Sequence, residues 1–108
     1  MEHIDSVKNI DDILQTEGID GIIVGPYDLS ASMGIPGEFE KKEVKQALEK
    51  VKAACKKYNK PLGFHVILPD NKKLKEKIDE GYTFLAFSLD FYFLGEKARE
   101  EMKPYKRN

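Results

Sequence analysis

The sequence predicts an α/β fold, a parallel β-sheet whose strands alternate with helices. Three observations carry this. The runs 19–25, 62–68 and 82–88 are nearly all apolar, as strands buried on both faces of a parallel sheet are. Between them lie stretches with apolar residues at helical spacing, the connections that strands running one way require. Gly18, Pro61 and Gly81 punctuate the chain just before each strand. Two architectures satisfy the pattern: a small open doubly wound sheet, or a piece of a (β/α)8 barrel. A whole barrel needs roughly 250 residues, and this chain has 108.

Taken in order, a first helix is predicted near Asp5–Thr16, with Val7, Ile10, Ile13 and Leu14 on one face and Asp5 or Ser6 as its cap. The first strand ends in the turn Gly25–Asp28, beyond which a short helix through Leu29–Met33 is possible. The clearest helix spans 41–58. Val44, Ala47, Leu48, Val51, Ala54, Cys55 and Tyr58 fall at i, i+3, i+4, i+7 spacing, and lysines crowd the opposite face and last turn. After the second strand, Asp70 caps a third helix that turns Leu74 and Ile78 inward. A final helix at 91–103, with Asp90 as its cap, leads to the polar tail 104–108, where fraying is expected.

Length sets one domain, residues 1–108. Eighteen basic and 19 acidic side chains leave a net charge of −1, which makes no electrostatic case for nucleic acid or a membrane surface. The single cysteine, Cys55, cannot form an internal disulfide, so the expected compartment is a reducing cytoplasm. On a helical core face it reads as an inert apolar side chain. No apolar run approaches the roughly 18 residues of a membrane span, and no export leader precedes the fold. Nucleotide-binding glycine motifs, a nucleophile elbow, CxxC and HExxH are all absent from the sequence.

In either architecture, sites form at the C-terminal ends of strands, where Asp28, His65 and Asp90 stand. Asp28 reads as a turn or helix-cap residue, or as a carboxylate ligand for a hard divalent cation beside amides free for an anion. Ser30 and Ser32 suit either reading. Glu2 is a solvated acid or a ligand. His65 is a hydrogen-bonded packing residue or a site residue, and His3 is the weaker candidate of the two histidines.

Read together, "MEHIDSVKNIDDILQTEGIDGIIVGPYDLSASMG", "GFHVILPD" and "GYTFLAFSLD" resemble the C-terminal half of the HpcH/HpaI aldolase family, the metal-dependent 2-keto-3-deoxy acid and 4-hydroxy-2-oxo acid aldolases related to the citrate lyase β subunit. The likeness is strongest over the first 34 residues. It implies about three and a half β/α units of a (β/α)8 TIM barrel. It further implies that Glu2 and Asp28 hold Mg²⁺ or Mn²⁺, with Co²⁺ also compatible. The amides of Tyr27 and Asp28 would face the carboxylate of a pyruvate-like keto acid, and His65 would face the same site. The implied reaction is metal-dependent carbon–carbon cleavage to pyruvate and an aldehyde.

The family's general-base histidine and substrate arginine lie on strands N-terminal to this segment, and the only arginines here are Arg99 and Arg107. A truncated barrel, inactive alone, is therefore expected. Its exposed edges and apolar surface imply a homo-oligomer, through edge pairing or an exchanged last helix as in the family, with Phe91, Tyr92, Phe93 and Leu94 as contacts. Two other readings remain: a non-catalytic α/β binding module, and a citrate lyase β-like enzyme acting on acyl-CoA thioesters.

Overall fold

Local chemistry sets each element of the computed structural model, which describes residues 1–105. The predicted first helix divides in two, α1 (Ile4–Lys8) and α2 (Ile10–Gln15), at Asn9. Both the backbone N–H and the side-chain Nδ2 of Asn9 donate to Asp5 O, each at 3.0 Å. Such side-chain competition for backbone groups is why Asn interrupts helices. The cap is neither Asp5 nor Ser6: His3 Nδ1 accepts from Asp5 N at 3.2 Å, while Asp5 pairs with Lys8 at 2.9 Å. Val7, Ile10 and Leu14 are nonetheless buried as their spacing requires.

Strand β1 (Ile22–Val24) leads into α3 (Pro26–Ser32), and α4 (Lys42–Lys57) follows. Helix α4 buries Val44, Ala47, Val51, Ala54 and Cys55, and burial raises the Cys55 thiol pKa. A charge at Val51, which has no exposed surface, would cost several kcal/mol, roughly, by the price of an unpaired buried ion. Strand β2 is Leu62–Val66. The Asp70 carboxylate then accepts from Lys72 N and Lys73 N, capping α5 (Asn71–Asp79) as predicted. Ile78 departs from expectation: it is 54% exposed, because α5 contributes no buried residue. Strand β3 (Phe84–Phe87) ends at Ser88, and α6 (Asp90–Met102) closes the fold with a 3₁₀ turn at Lys103–Tyr105. The cap of α6 is Leu89 rather than Asp90, whose Oδ1 accepts only from its neighbour Phe91 N, at 2.8 Å. The rest of the expected polar tail, 106–108, lies outside the described residues.

The three strands are parallel in the order β1-β2-β3, with Ile22 level with Leu62 and Gly63 level with Phe84. Ile22, Val24, Leu62, Phe64 and Val66 point into one core with Val7, Ile10, Leu14, Val51 and Ala54 of the helices. The alternate residues Ile23, Gly63, His65, Phe84 and Ala86 share the other face. That face is open: Ile23 and Phe84 are each 41% exposed. The expected cover on both faces is therefore not what forms among the described residues, where helices lie on one side of the sheet alone. The Phe84 ring lies directly over Gly63, where an added Cβ would come within 2.3 Å of it.

At the N-terminal end of the sheet, Tyr82 packs edge-on to Phe64, with ring centroids 5.0 Å apart. Lys77 stands over both rings, and Lys52 bonds Glu49 and Glu80 at 2.9 and 2.8 Å. Burial alone would lower the Lys52 pKa, but these carboxylates outweigh it and hold the ammonium well above its ordinary value.

Candidate functional site

The C-terminal end of β1 is where the sequence placed Asp28, and the local chain explains the geometry. Gly25 is the N-cap of α3, and Pro26 occupies the first helical position, where its missing N–H is no loss. Leu29 N bonds Gly25 O at 3.0 Å, but no side chain caps this helix. The N–H groups of Tyr27 and Asp28, in the first turn, thus face the end of the sheet without a capping side chain. Tyr27 and Asp28 are both exposed. Among the described residues, the Asp28 carboxylate enters no ion pair or hydrogen bond, so it does not serve as the cap.

Ser30 and Ser32 brace this turn. Ser30 Oγ donates to Tyr27 O at 2.8 Å and accepts from Gly37 N at 2.9 Å. Ser32 Oγ donates to Leu29 O at 2.7 Å and accepts from Ile4 N at 2.9 Å, tying α3 to α1.

Glu2 reaches the same place from the side of the sheet. The Met1 ammonium donates to Ile23 O at 2.8 Å, and Gly25 N donates to Met1 O at 3.2 Å, the two bonds a parallel neighbour makes across a strand. Glu2 then lies over Gly25, its Oε1 2.8 Å from where a Cβ of Gly25 would stand. Gly25 is extended (φ −95°, ψ 96°), so that direction is the open face shared with Ile23. Glu2 and Asp28 thus both lie at the C-terminal end of β1, Glu2 over Gly25 and Asp28 in the first turn of α3. His65 stands on the open face of the next strand, half-buried, its Nε2 3.1 Å from Ser88 O. Asp90 opens α6 and His3 caps α1, so neither joins Glu2 and Asp28.

Two residues at this end escape sequence reasoning. Gly25 reads as turn punctuation but makes the space for Glu2. Ser88 reads as the last strand residue, but its backbone is left-handed (φ 57°), and its buried Oγ has no partner. Neither carries a side-chain signal that sequence alone could show.

The donor set suits a hard divalent ion. Two carboxylates offer oxygen ligands and leave the other positions to water or to a chelating substrate. Among the described residues, no group of three or more His, Cys, Asp or Glu side chains could hold a metal, which rules out a closed zinc-type cage there. A cavity of about 720 Å³ has Leu48, Phe64 and Val66 in its lining, and it borders the site through Pro26 and His65. Lys52, Lys77 and Glu80 on its rim pair with one another or with Glu49, so it offers little unpaired chemistry.

A family model, HpcH/HpaI aldolase/citrate lyase, matches residues 1–94. The chain belongs to this family. Similar proteins include a 4-hydroxy-4-methyl-2-oxoglutarate aldolase of Chaetomium globosum, 43% identical over 76 residues, which are 70% of this chain and 28% of that protein. A 5-keto-4-deoxy-D-glucarate aldolase of Klebsiella pneumoniae subsp. pneumoniae is 37% identical over 84 residues, 78% of this chain and 32% of its own length. Among solved structures, an HpcH/HpaI aldolase of Desulfitobacterium hafniense DCB-2 superposes with a TM-score of 0.89 at 32% identity, covering 100% of this chain and 41% of that one. The chain thus spans about a third of the length of these curated HpcH/HpaI relatives. The family match takes in Glu2, Tyr27, Asp28 and His65, and ends at Leu94 inside α6.

Proposed function

We propose that this chain carries the metal- and pyruvate-binding part of a carbon–carbon lyase. The reaction cleaves a 2-keto-3-deoxy or 4-hydroxy-2-oxo acid to pyruvate and an aldehyde. The observation that carries this is the position of Glu2 over Gly25, at the strand end where Asp28 opens α3. Glu2 and Asp28 hold a divalent ion, Mg²⁺ or Mn²⁺, with Co²⁺ also suited to the oxygen donors. Such an ion supplies Lewis-acid stabilisation of the negative charge that gathers on the pyruvate half as the C–C bond breaks. The N–H groups of Tyr27 and Asp28, at the positive end of α3, orient the substrate carboxylate. Ile23 and Phe84 give the open face an apolar wall below the site. The family likeness assigns the base that takes the proton of the substrate 4-hydroxyl to strands that precede this segment.

The open face reads as the inner wall of an arc of about three and a half β/α units of a (β/α)8 barrel. A parallel sheet with helices on one side only supports this, together with the superposition on 41% of an HpcH/HpaI aldolase. Residues 1–108 then form one partial domain that self-associates through the β1 edge and α6. Its single cysteine suits a reducing cytoplasm. The relatives' names point to free keto acids rather than to acyl-CoA thioesters.

Mn²⁺ binding followed by electron paramagnetic resonance tests the site. One ion should bind, and Asp28→Ala and Glu2→Gln should each weaken it at least tenfold, on the order of the loss of one ligand. Pyruvate release should appear once the missing strands are supplied as a second polypeptide. An Asp28→Ala protein with undiminished Mn²⁺ affinity would sink the assignment.

A further inference from the structure

We propose that Ser32 is a positioning residue: its hydroxyl ties the segment that carries Glu2 to the helix that carries Asp28, and so sets both carboxylates for one divalent ion. The proposal rests on the metal-site reading above and adds how the chain holds that site in register.

Glu2 has no bond of its own to keep it in place. Among the described residues, neither its main chain nor its carboxylate enters a hydrogen bond. Its position comes from the residues on either side. Upstream, Gly25 N donates to Met1 O at 3.2 Å, which fastens that end to the end of β1. Downstream, Ile4 N donates to Ser32 Oγ at 2.9 Å. Ile4 opens α1, where a backbone N–H finds no partner within the helix.

The Ser32 hydroxyl donates to Leu29 O at 2.7 Å, so its one proton is spent within α3 and a lone pair is left for Ile4. A helix serine that serves only its own backbone would stop at that carbonyl. Ser32 goes one bond further, to the residue two places from Glu2. It closes α3 four residues after Asp28, about one turn along the same side, a rise of about 6 Å. The hydroxyl thus bridges two stretches far apart in sequence, one with Glu2 over Gly25, the other with Asp28 in its first turn. Ser30 is the contrast. Its Oγ joins Tyr27 O to Gly37 N and touches no part of the Glu2 segment. Without the Ser32 hydroxyl, that segment is fastened at one end only, and ordering it falls on metal binding.

The test uses the intact chain and Mn²⁺ binding followed by electron paramagnetic resonance. Ser32→Ala should bind Mn²⁺ about tenfold more weakly, a loss typical of a group that supports a ligand from behind. Ser32→Thr keeps a hydroxyl and should bind as the wild type does. So should Ile10→Val, a core change that costs modest stability far from the hydroxyl. In the metal-free chain, deuterium exchange at the Ile4 amide should run about tenfold faster in Ser32→Ala and be unchanged in Ser32→Thr. Wild-type Mn²⁺ affinity in Ser32→Ala would overturn the proposal, as would an equal loss in Ser32→Thr or in Ile10→Val. An Ile4 amide that exchanges alike in wild type and Ser32→Ala would overturn it too. Asp28→Ala, measured alongside, separates the two readings. If it also keeps full Mn²⁺ affinity, the metal site itself fails, and this proposal with it.

Discussion

Gly25 has no side chain, and the Glu2 carboxylate occupies the space one would need. A methyl group there would stand 2.8 Å from Oε1 and 2.9 Å from Cγ of Glu2, closer than real contacts allow. Gly25→Ala should therefore swing Glu2 away and lower Mn²⁺ affinity about tenfold or more, while circular dichroism stays that of the wild type, since φ is negative at this position. Tyr82 tests a different kind of burial. Only 4% exposed, its hydroxyl has no partner, and burial pushes the phenol up to about 12 from an ordinary value of 10. A folded pKa above the unfolded one stabilises fully below pH 10, and that contribution is lost as pH rises from 10 to 12. The loss is at most about 3 kcal/mol. Urea titrations should find Tyr82→Phe neutral or up to ~1 kcal/mol more stable at pH 7, where the orphan hydroxyl is removed. Between pH 10 and 12 it should escape the decline of the wild type. At this scale the sequence was legible in part. Asp28 drew notice by standing after a strand on a Gly-Pro turn, though its residues alone left a cap and a ligand as alternatives, and the structure removes the cap. Glu2 was visible only through family likeness, because its place depends on a neighbour two dozen residues away.

Elements follow their own rules, and those with strong local signals were read well. Helix α4 lies within a residue of its expected bounds because its apolar stripe, lysine-rich last turn and following Pro61 agree. Asp70 capped α5 as a Pro-Asp start suggests. The first helix was misread because Val7, Ile10 and Leu14 keep helical spacing across the Asn9 break, so periodicity alone could not reveal it. At the β3–α6 junction, Ser88 adopts φ 57° and buries a hydroxyl that nothing satisfies. Glycine takes that backbone freely and has no hydroxyl to strand. Ser88→Gly should raise stability by about 1 kcal/mol, a thermal midpoint some 4–8 °C higher, with the carbonyl that holds His65 retained. A destabilised Ser88→Gly protein would mean that the hydroxyl is bonded in solution.

The whole molecule has one covered sheet face and one bare one. Sequence could not choose between an open sheet and an arc of a barrel, since strands are apolar on both sides whether helices or an opposite wall cover them. The apolar residues Phe91, Phe93 and Leu94 of α6, expected as contacts between copies, are exposed, Leu94 at 74%, and none of the helix is buried. The Phe87–Phe93 pair, with ring centroids 5.4 Å apart, ties its base to β3. Such a surface should drive association. Light scattering at micromolar concentration should find dimers or larger species, and Leu94→Lys with Phe91→Lys should shift them toward monomer.

Thirteen residues make too short a helix to persist in water without something to lean on. The backbone of α6 is thus a reporter on the company this protein keeps. On dilution, ellipticity at 222 nm should fade in step with dissociation, and proteases should begin to cut between Phe91 and Met102.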